Sequence, residues 1–287
     1  QYFLKIHARG RKEKMREKTH IVILIVLVVA FALVIFLSPI FWMVLTSFKE
    51  KGEYFTYPPV FISRTFDLNH FARGLEIGGR KGITDSFIIA SLATLLSMTV
   101  GALAAYSLAR FRIGGKNLAF WILSIRMMPP IASVLPLFLF YRFLHLLDTY
   151  TALIITYSII NIPFAVWMLK GFFEDLPAEL EEAAMVDGCG RFGAFYRIAL
   201  PLIAPGLVAT ALFCFIFSWN EFFFALILSR SRITPVTVVI SGMIGGHEIL
   251  WAEISAVATM ASLPVILIAI ILQRYLVRGL TLGAVKG

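Results

Sequence analysis

Four polar side chains interrupt stretches that are otherwise apolar: Arg126, Asn161, Asn220 and Glu221. A charge or an amide in lipid is costly unless it meets a partner, water or a ligand, so such residues mark a polar path by default. The chemistry open to them is binding through hydrogen bonds and charge. Arg126 has two outlets: an ion pair with Glu221, or a wet cavity where it attracts an anion. Asn161 precedes Pro163 and is placed to serve carbonyls that the proline frees. Glu221 stands near the end of its run, where water can solvate it. Covalent chemistry would want other patterns. No Gly-x-Ser-x-Gly turn is present. His247-Glu248 is followed by Ile249-Leu250-Trp251, so the second histidine of a zinc hydrolase is missing. No G-x-x-x-x-G-K-[ST] loop occurs, so the chain has no such nucleotide cradle of its own. Cys189 and Cys214 have neither a disulfide framework nor metal-ligand spacing around them.

A second polar stretch, Glu181 to Pro205, reads EEAAMVDGCGRFGAFYRIALPLIAP. Pro177 suits a first helical turn, with Asp175 as a candidate cap. Leu180, Ala183, Ala184 and Asp187 then share one helix face. Gly188 can adopt the positive φ that ends a helix. A second short helix follows, with Phe192, Phe195, Tyr196 and Ala199 on one side and Pro201 closing it. The pair forms a knob with small residues at its tip, shaped to dock into a cleft. An amphipathic connector on the lipid surface is the alternative. Only Arg191 and Arg197 stand against Glu179, Glu181, Glu182 and Asp187, which disfavours anionic lipid.

The elements that must position these residues are membrane helices. The chain has 287 residues, 59% hydrophobic and only 15% charged, with mean hydropathy +0.86. A soluble domain of ordinary composition carries about 25% charged residues. Apolar runs near the roughly 20 residues that cross a bilayer place spans at 21–44, 87–109, 118–141, 152–169, 203–228 and 254–272. The fold class is an all-α integral membrane protein with six transmembrane helices. Its connections are 1–20, 45–86, 170–202, 229–253 and 273–287, and 87–279 forms a single transmembrane domain. The stretch 45–86, rich in Pro, Gly and charge, reads as a loop with little core.

The first 20 residues hold seven basic ones, which fits a cytoplasmic flank better than nucleic-acid binding. The apolar run that follows is too long for a cleaved signal. With both termini inside, the inner segments carry sixteen Lys and Arg and the outer ones nine. That bias puts 170–202 in the cytoplasm. Ser97, Gly101, Ala105 and Ala109 recur at four-residue spacing, a close-packing stripe. Pro129, Pro130, Pro136, Pro163, Pro205 and Pro264 bend or break spans, which suits kinked helices around a wet cavity and equally suits ordinary packing.

Glu182-Ala183-Ala184-x-x-Asp187-Gly188, then Ile198-x-Leu200-Pro201-x-x-x-Pro205, resembles the EAA loop of ABC importer permeases. Trp219-Asn220-Glu221-Phe222-Phe223 and the ending Gly279-Leu280-Thr281-x-Gly283-Ala284-Val285-Lys286-Gly287 resemble the maltose-type carbohydrate branch. Cys189 departs from the usual Ala, and Arg126 from an uncharged polar residue. The resemblance implies a type I importer permease, a non-catalytic subunit in a bacterial cytoplasmic (inner) membrane. Its implied partners are a second permease half in a heterodimer, two ATPase subunits holding ATP and Mg, and an extracytoplasmic solute-binding protein. It implies that Glu182, Ala183, Ala184, Asp187 and Gly188 couple to the ATPase. It implies that 229–253, with Gly242, Gly245 and Gly246, touches the binding protein, and that the tail from Gly279 reaches between the ATPases. The cargo that the resemblance implies is an oligosaccharide, either neutral like maltose and trehalose or acidic like a uronic-acid oligomer such as alginate. An ion-coupled carrier or channel is the alternative.

Overall fold

The computed structural model describes residues 2–63, 65–111, 113–115, 117–244 and 249–284, with side chains from 20 to 273 among them. Among the described residues there is no strand. In chain order the helices are α1 (Tyr2–Thr46), α2 (Asn69–Gly74), α3 (Arg80–Phe111), α4 (Leu118–Ser124), α5 (Pro130–Phe143), α6 (Tyr150–Asp175), α7 (Glu179–Val186), α8 (Arg191–Ala194), α9 (Leu200–Leu202), α10 (Ala204–Trp219), α11 (Phe223–Leu228), α12 (Val236–Gly242) and α13 (Trp251–Ala284). Wider π-helical turns join α2 to α3 at Leu75–Gly79 and α8 to α9 at Phe195–Ala199. Four helical stretches are long and apolar enough to cross a bilayer: His20–Thr46, Asn69–Phe111, Tyr150–Asp175 and Trp251–Gln273. Two bent pairs bring the number to six if each is one span.

The bends have chemical causes. Leu118–Met127 meets Pro130–Phe143 at 86°, where Pro129 and Pro130 remove two successive backbone donors. Arg191–Leu202 meets Ala204–Trp219 at 78°. That bend falls at Ile203, just before Pro205, and not at Pro201, which lies inside α9. The run 203–228 is itself interrupted between α10 and α11, at Asn220-Glu221-Phe222.

The packed centre is α3 against α6. Ser97 and Ala105 are fully buried, and Gly101 is buried between them. A Cβ added at Gly101 would stand 2.7 Å from the Ala165 Cβ of α6, so only glycine permits this approach. The hydroxyls of Ser97 and Ser158 lie across the seam, each reaching a backbone carbonyl on the other helix (3.4 and 3.3 Å). In lipid such close contact and interhelical polar contact replace the hydrophobic drive between helices. Around this seam Phe173, Leu169, Phe195 and Ile203 close one end of the bundle. Tyr157, Leu153, Phe224 and Leu228 fill the other end. The apolar window of α1 has no buried residue; it presents its whole circumference to whatever surrounds the bundle.

The stretch 45–86 is more ordered than its composition suggests. Helix begins at Asn69, and the buried His70 places Nδ1 3.2 Å from the buried Glu253 carboxylate at the start of α13. At the same end of the bundle two carboxylates hold the segment after α11. Asp148 accepts the backbone N–H groups of Arg230, Arg232, Ile233 and Ser231 at 2.9, 2.9, 3.1 and 3.3 Å. Asp85 accepts Lys81 Nζ (2.8 Å), Tyr150 OH (2.7 Å) and Thr234 N–H (2.9 Å).

Candidate functional site: a two-helix prong and an intramembrane cavity

Opposite Asp85 and Asp148, residues 177–202 form a prong. Its first helix, α7, starts after Ala178 with no side-chain cap, and Asp175 instead ends α6. Glu179, Glu181 and Glu182 occupy the first turn, where carboxylates complement the helix dipole. The far end closes in a Schellman arrangement. Cys189 N–H reaches Ala184 O (3.0 Å) and Gly188 N–H reaches Met185 O (3.1 Å). Gly188 takes φ +91°, and a Cβ there would meet nothing within 4 Å. The demand for glycine is therefore conformational.

The prong has an inner and an outer face. Ala184 is 9% exposed and Phe195, Ala194 and Ala199 are buried. Glu182, Ala183, Asp187 and Gly188 are exposed. So the two alanines differ: Ala183 faces out, whereas Ala184 packs within the prong. The aromatics also divide. Phe195 and Ala199 turn inward, while Phe192 and Tyr196 are 72% and 65% exposed. Residues four apart share a face, so the adjacent pair Phe195 and Tyr196 must fall on different ones. The outer face thus carries acids beside apolar side chains, with Val186 at 87% exposure.

Glu181 anchors the prong, and the sequence reading passed over it. Its carboxylate is buried (4% exposed). Arg110 of α3 donates through Nε at 2.7 Å and stands at 2.6 Å through Nη2. Tyr106 donates to the other oxygen at 2.5 Å. Arg110 Nη2 also donates to Leu176 O at 3.0 Å, fixing the turn that leads into α7. The Tyr106 ring packs on Phe195 and Phe173 at 4.7 and 5.3 Å between centroids. The helical wheel puts Glu181 on the same face as Ala184, three residues on, but only the fold shows that this face is the buried one.

Inside the bundle, Arg126, Asn161, Asn220 and Glu221 line one cavity of about 230 Å³. Arg126 sits on the 3-10 turn Ile125–Met127 at the break between α4 and α5. Its guanidinium lies 4.1 Å from the Phe217 ring centroid and 5.2 Å from that of Phe164, a cation–π arrangement. Among the described residues it forms no ion pair with Glu221. The Glu221 carboxylate instead accepts the Phe224 N–H at 2.7 Å, capping α11. Asn161 donates through Nδ2 to Cys214 O (3.2 Å) and Ser218 Oγ (2.8 Å), and so binds α10 rather than carbonyls freed by Pro163. Asn220 turns back to its own helix, donating to Ile216 O at 2.9 Å. Cys214 is buried, and Cys189 is half-buried in the prong; both are free thiols.

At the opposite end Gly242 closes α12. Gly245, Gly246 and the His247-Glu248 pair lie outside the described residues, as do residues 285–287 of the tail.

Comparison with known proteins places this geometry. The chain is 41% identical over 253 residues to the probable ABC transporter permease protein y4oR of Sinorhizobium fredii, covering 88% of this chain and 91% of that one. It is 36% identical over 280 residues to the trehalose/maltose transport system permease protein MalG of Thermococcus litoralis, covering 95% of this chain and 100% of that one. Its fold matches a chain of a bacterial ABC transporter involved in the import of the acidic polysaccharide alginate, with TM-score 0.71, 24% identity, and 88% of this chain and 95% of that chain covered. A family described as binding-protein-dependent transport system inner membrane component matches residues 97–282, which include both the prong and the cavity. The chain belongs to that family of multi-pass inner membrane transport components.

Proposed function

We propose that this chain is one permease half of an ATP-driven, binding-protein-dependent sugar importer, and that its prong seats in a separate ATPase subunit on the cytoplasmic side. The observation that carries this is the form of the prong. It is a capped pair of helices with an exposed face of Glu182, Ala183, Val186 and Asp187, tied by a buried ion pair to α3. A rigid projection anchored this way transmits a push from below into the bundle. ATP binding to the engine then biases two packings of the spans, which is how differential binding energy becomes motion. The sugar reading rests on the relatives' names, trehalose/maltose and sulfoquinovosyl glycerol among them.

The remaining parts follow from the same reading. Both termini lie in the cytoplasm, a second and different permease half completes the path, and two ATPase subunits supply ATP and Mg. The segment 229–253 meets the binding protein outside, starting from the base that Asp148 and Asp85 hold. This chain contributes no hydrolysis of its own. The test is crosslinking from Ala183→Cys in the assembled complex. Capture of an ATPase subunit supports the reading; failure to reach one, or labelling of that cysteine from outside the cell, overturns it.

A further inference from the structure

The helical stretch Asn69–Phe111 is shared between two packed bodies. Its outer piece, α2, is fixed to α13. His70 meets Glu253 at 3.2 Å, and a Cβ added at Gly74 would stand 2.8 Å from a Val257 methyl. Its longer piece, α3, is fixed to the segment after α11. Lys81 donates to Arg232 O (2.7 Å), Asp85 accepts the Thr234 N–H (2.9 Å) and Ser86 Oγ accepts the Val236 N–H (2.8 Å). Helix α12 then lies on the start of α3, where a Cβ at Gly82 would come within 2.8 Å of a Val239 methyl and 3.1 Å of Val236 Cα. Between the two bodies stands Gly78, at φ +136° and ψ −6° inside an otherwise helical run. The nearest atom a Cβ there would meet is a Val239 methyl at 3.5 Å, so the glycine is required by the backbone and not by space. Glycine takes φ of either sign at little cost, so a bent and a straight arrangement are both open to this joint. Wide π-type turns inside helices are frequent at functional sites.

We propose that Gly78 is a hinge and that α3 is the rod carrying its movement between the outer segment and the prong; the assignment rests on the importer reading above. The outer end of α3 bears residues 232–242. Its last turn bears Arg110, which holds Glu181 at 2.7 Å. The 32 residues of α3 join these two ends over about 48 Å at 1.5 Å per residue, and the close seam with α6 stiffens the rod in its middle. Helices α2 and α13 form the base. The fully buried Val257 is the pivot, because a Cβ at Gly79, beyond the hinge, would also stand 2.9 Å from its methyl. A few residues that absorb a φ/ψ change between packed bodies are what a hinge requires. A partner seated on the outer segment is thereby felt at the prong. By the reciprocity of linked equilibria, nucleotide bound beneath the prong is felt at the outer segment.

The test uses the assembled importer in lipid nanodiscs, with partner subunits free of reactive cysteines and Cys189→Ser in this chain. Spin labels are placed on Leu103→Cys in α3 and Ile270→Cys in α13, both exposed positions. Pulsed dipolar spectroscopy compares the nucleotide-free complex with the complex trapped by ATP and vanadate. Each 10° of bend at Gly78 moves Leu103 by about 6 Å, given 1.5 Å of rise per residue, so a shift of several ångström in the separation is expected. Gly78→Ala disfavours the bent form and removes the shift while trapping persists. Glu181→Ala parts the rod from the prong and cuts the shift by at least half; if Gly78→Ala does not assemble, this variant decides alone. An unchanged separation in the parent overturns the proposal, and so does a full shift in either variant. Crosslinking from Ala183→Cys in separate preparations tells two failures apart. Without capture of an ATPase subunit the importer reading falls, whereas capture with no shift sinks the hinge alone.

Discussion

Arg110 and Glu181, 71 residues apart in sequence, meet through a 2.7 Å hydrogen bond that joins the last turn of α3 to the first turn of the prong. Both are substantially buried, with side-chain exposures of 14% and 6%. A buried pair of this kind is weak evidence of stability in itself, because desolvation offsets much of the attraction. Its value is geometric. The guanidinium is fixed by Glu181 and Leu176 O together, so the prong has one orientation relative to α3, the helix that forms the central seam with α6.

Removing one partner tests this. Glu181→Ala leaves Arg110 buried and uncompensated, at a cost of about 3–5 kcal/mol. Amide hydrogen exchange over 177–202 rises in that variant, and transport falls while the ATPase subunits keep hydrolysing. Arg110→Met with Glu181→Leu substitutes apolar packing for the pair and recovers most of the exchange protection. If Glu181→Ala leaves exchange and coupling at wild-type levels, the pair does not position the prong.

The turn at Gly188 makes a separable prediction. A non-glycine residue in the left-handed region costs roughly 1–2 kcal/mol, and proline in addition fixes φ near −65° and deletes an N–H, here the one given to Met185 O. Gly188→Asn, which tolerates positive φ, is expected to keep most transport. Gly188→Pro is expected to abolish coupled ATP hydrolysis with membrane insertion unchanged. Glu182→Lys does the same by reversing charge on the outer face without touching the turn. Proteoliposome uptake and ATPase rates, measured together, check all three; equal activity of Gly188→Pro and Gly188→Asn would contradict the conformational argument.

Local patterns were legible in the sequence and distant pairings were not. The prolines at 129 and 130 announced a break, and the break is there. Ser97, Gly101 and Ala105 announced a packing face, but nothing in their spacing identified α6 as its partner. Asp187-Gly188 announced a helix end. Glu181 was missed because Arg110 lies on another helix, and charges that meet only in the fold leave no i, i+4 trace. The same holds for Asp148, whose four donors lie 82 to 85 residues away. Arg126 and Glu221 were identified as polar intruders, and a pairing between them was one open reading. The fold gives Glu221 to the α11 backbone and Arg126 to two aromatic faces, because a broken helix end has a stronger claim on the nearer carboxylate.

The seam itself yields to a volume test. With 2.7 Å between a hypothetical Gly101 Cβ and Ala165, Gly101→Val forces α3 and α6 apart. Overpacking of this kind costs typically about 1–3 kcal/mol. The thermal midpoint of the detergent-held complex falls, and Gly101→Ala falls less. Ala165→Gly in the same chain relieves Gly101→Ala, since it removes the methyl that is struck. A Gly101→Val protein as stable as the parent would mean that the helices do not approach this closely.

The Asp148 carboxylate adds a pH dependence at the other end. Burial pushes its pKa up, but the N–H groups of Arg232, Arg230, Ile233 and Ser231 outweigh that and hold it below the usual carboxylate range. A folded pKa below the unfolded value, about 3.9 for aspartate, means that the folded state binds this proton less readily. Its contribution is then fully present above the unfolded pKa and is lost as pH falls through the folded one. Asp148→Asn keeps an acceptor but drops the charge. It is expected to lower the thermal midpoint at pH 7, with the gap from the parent closing as the pH drops below about 4. A gap that stays constant down to pH 3 would assign the effect to shape rather than charge, and the segment after α11 would then be held by Asp85 and its three donors.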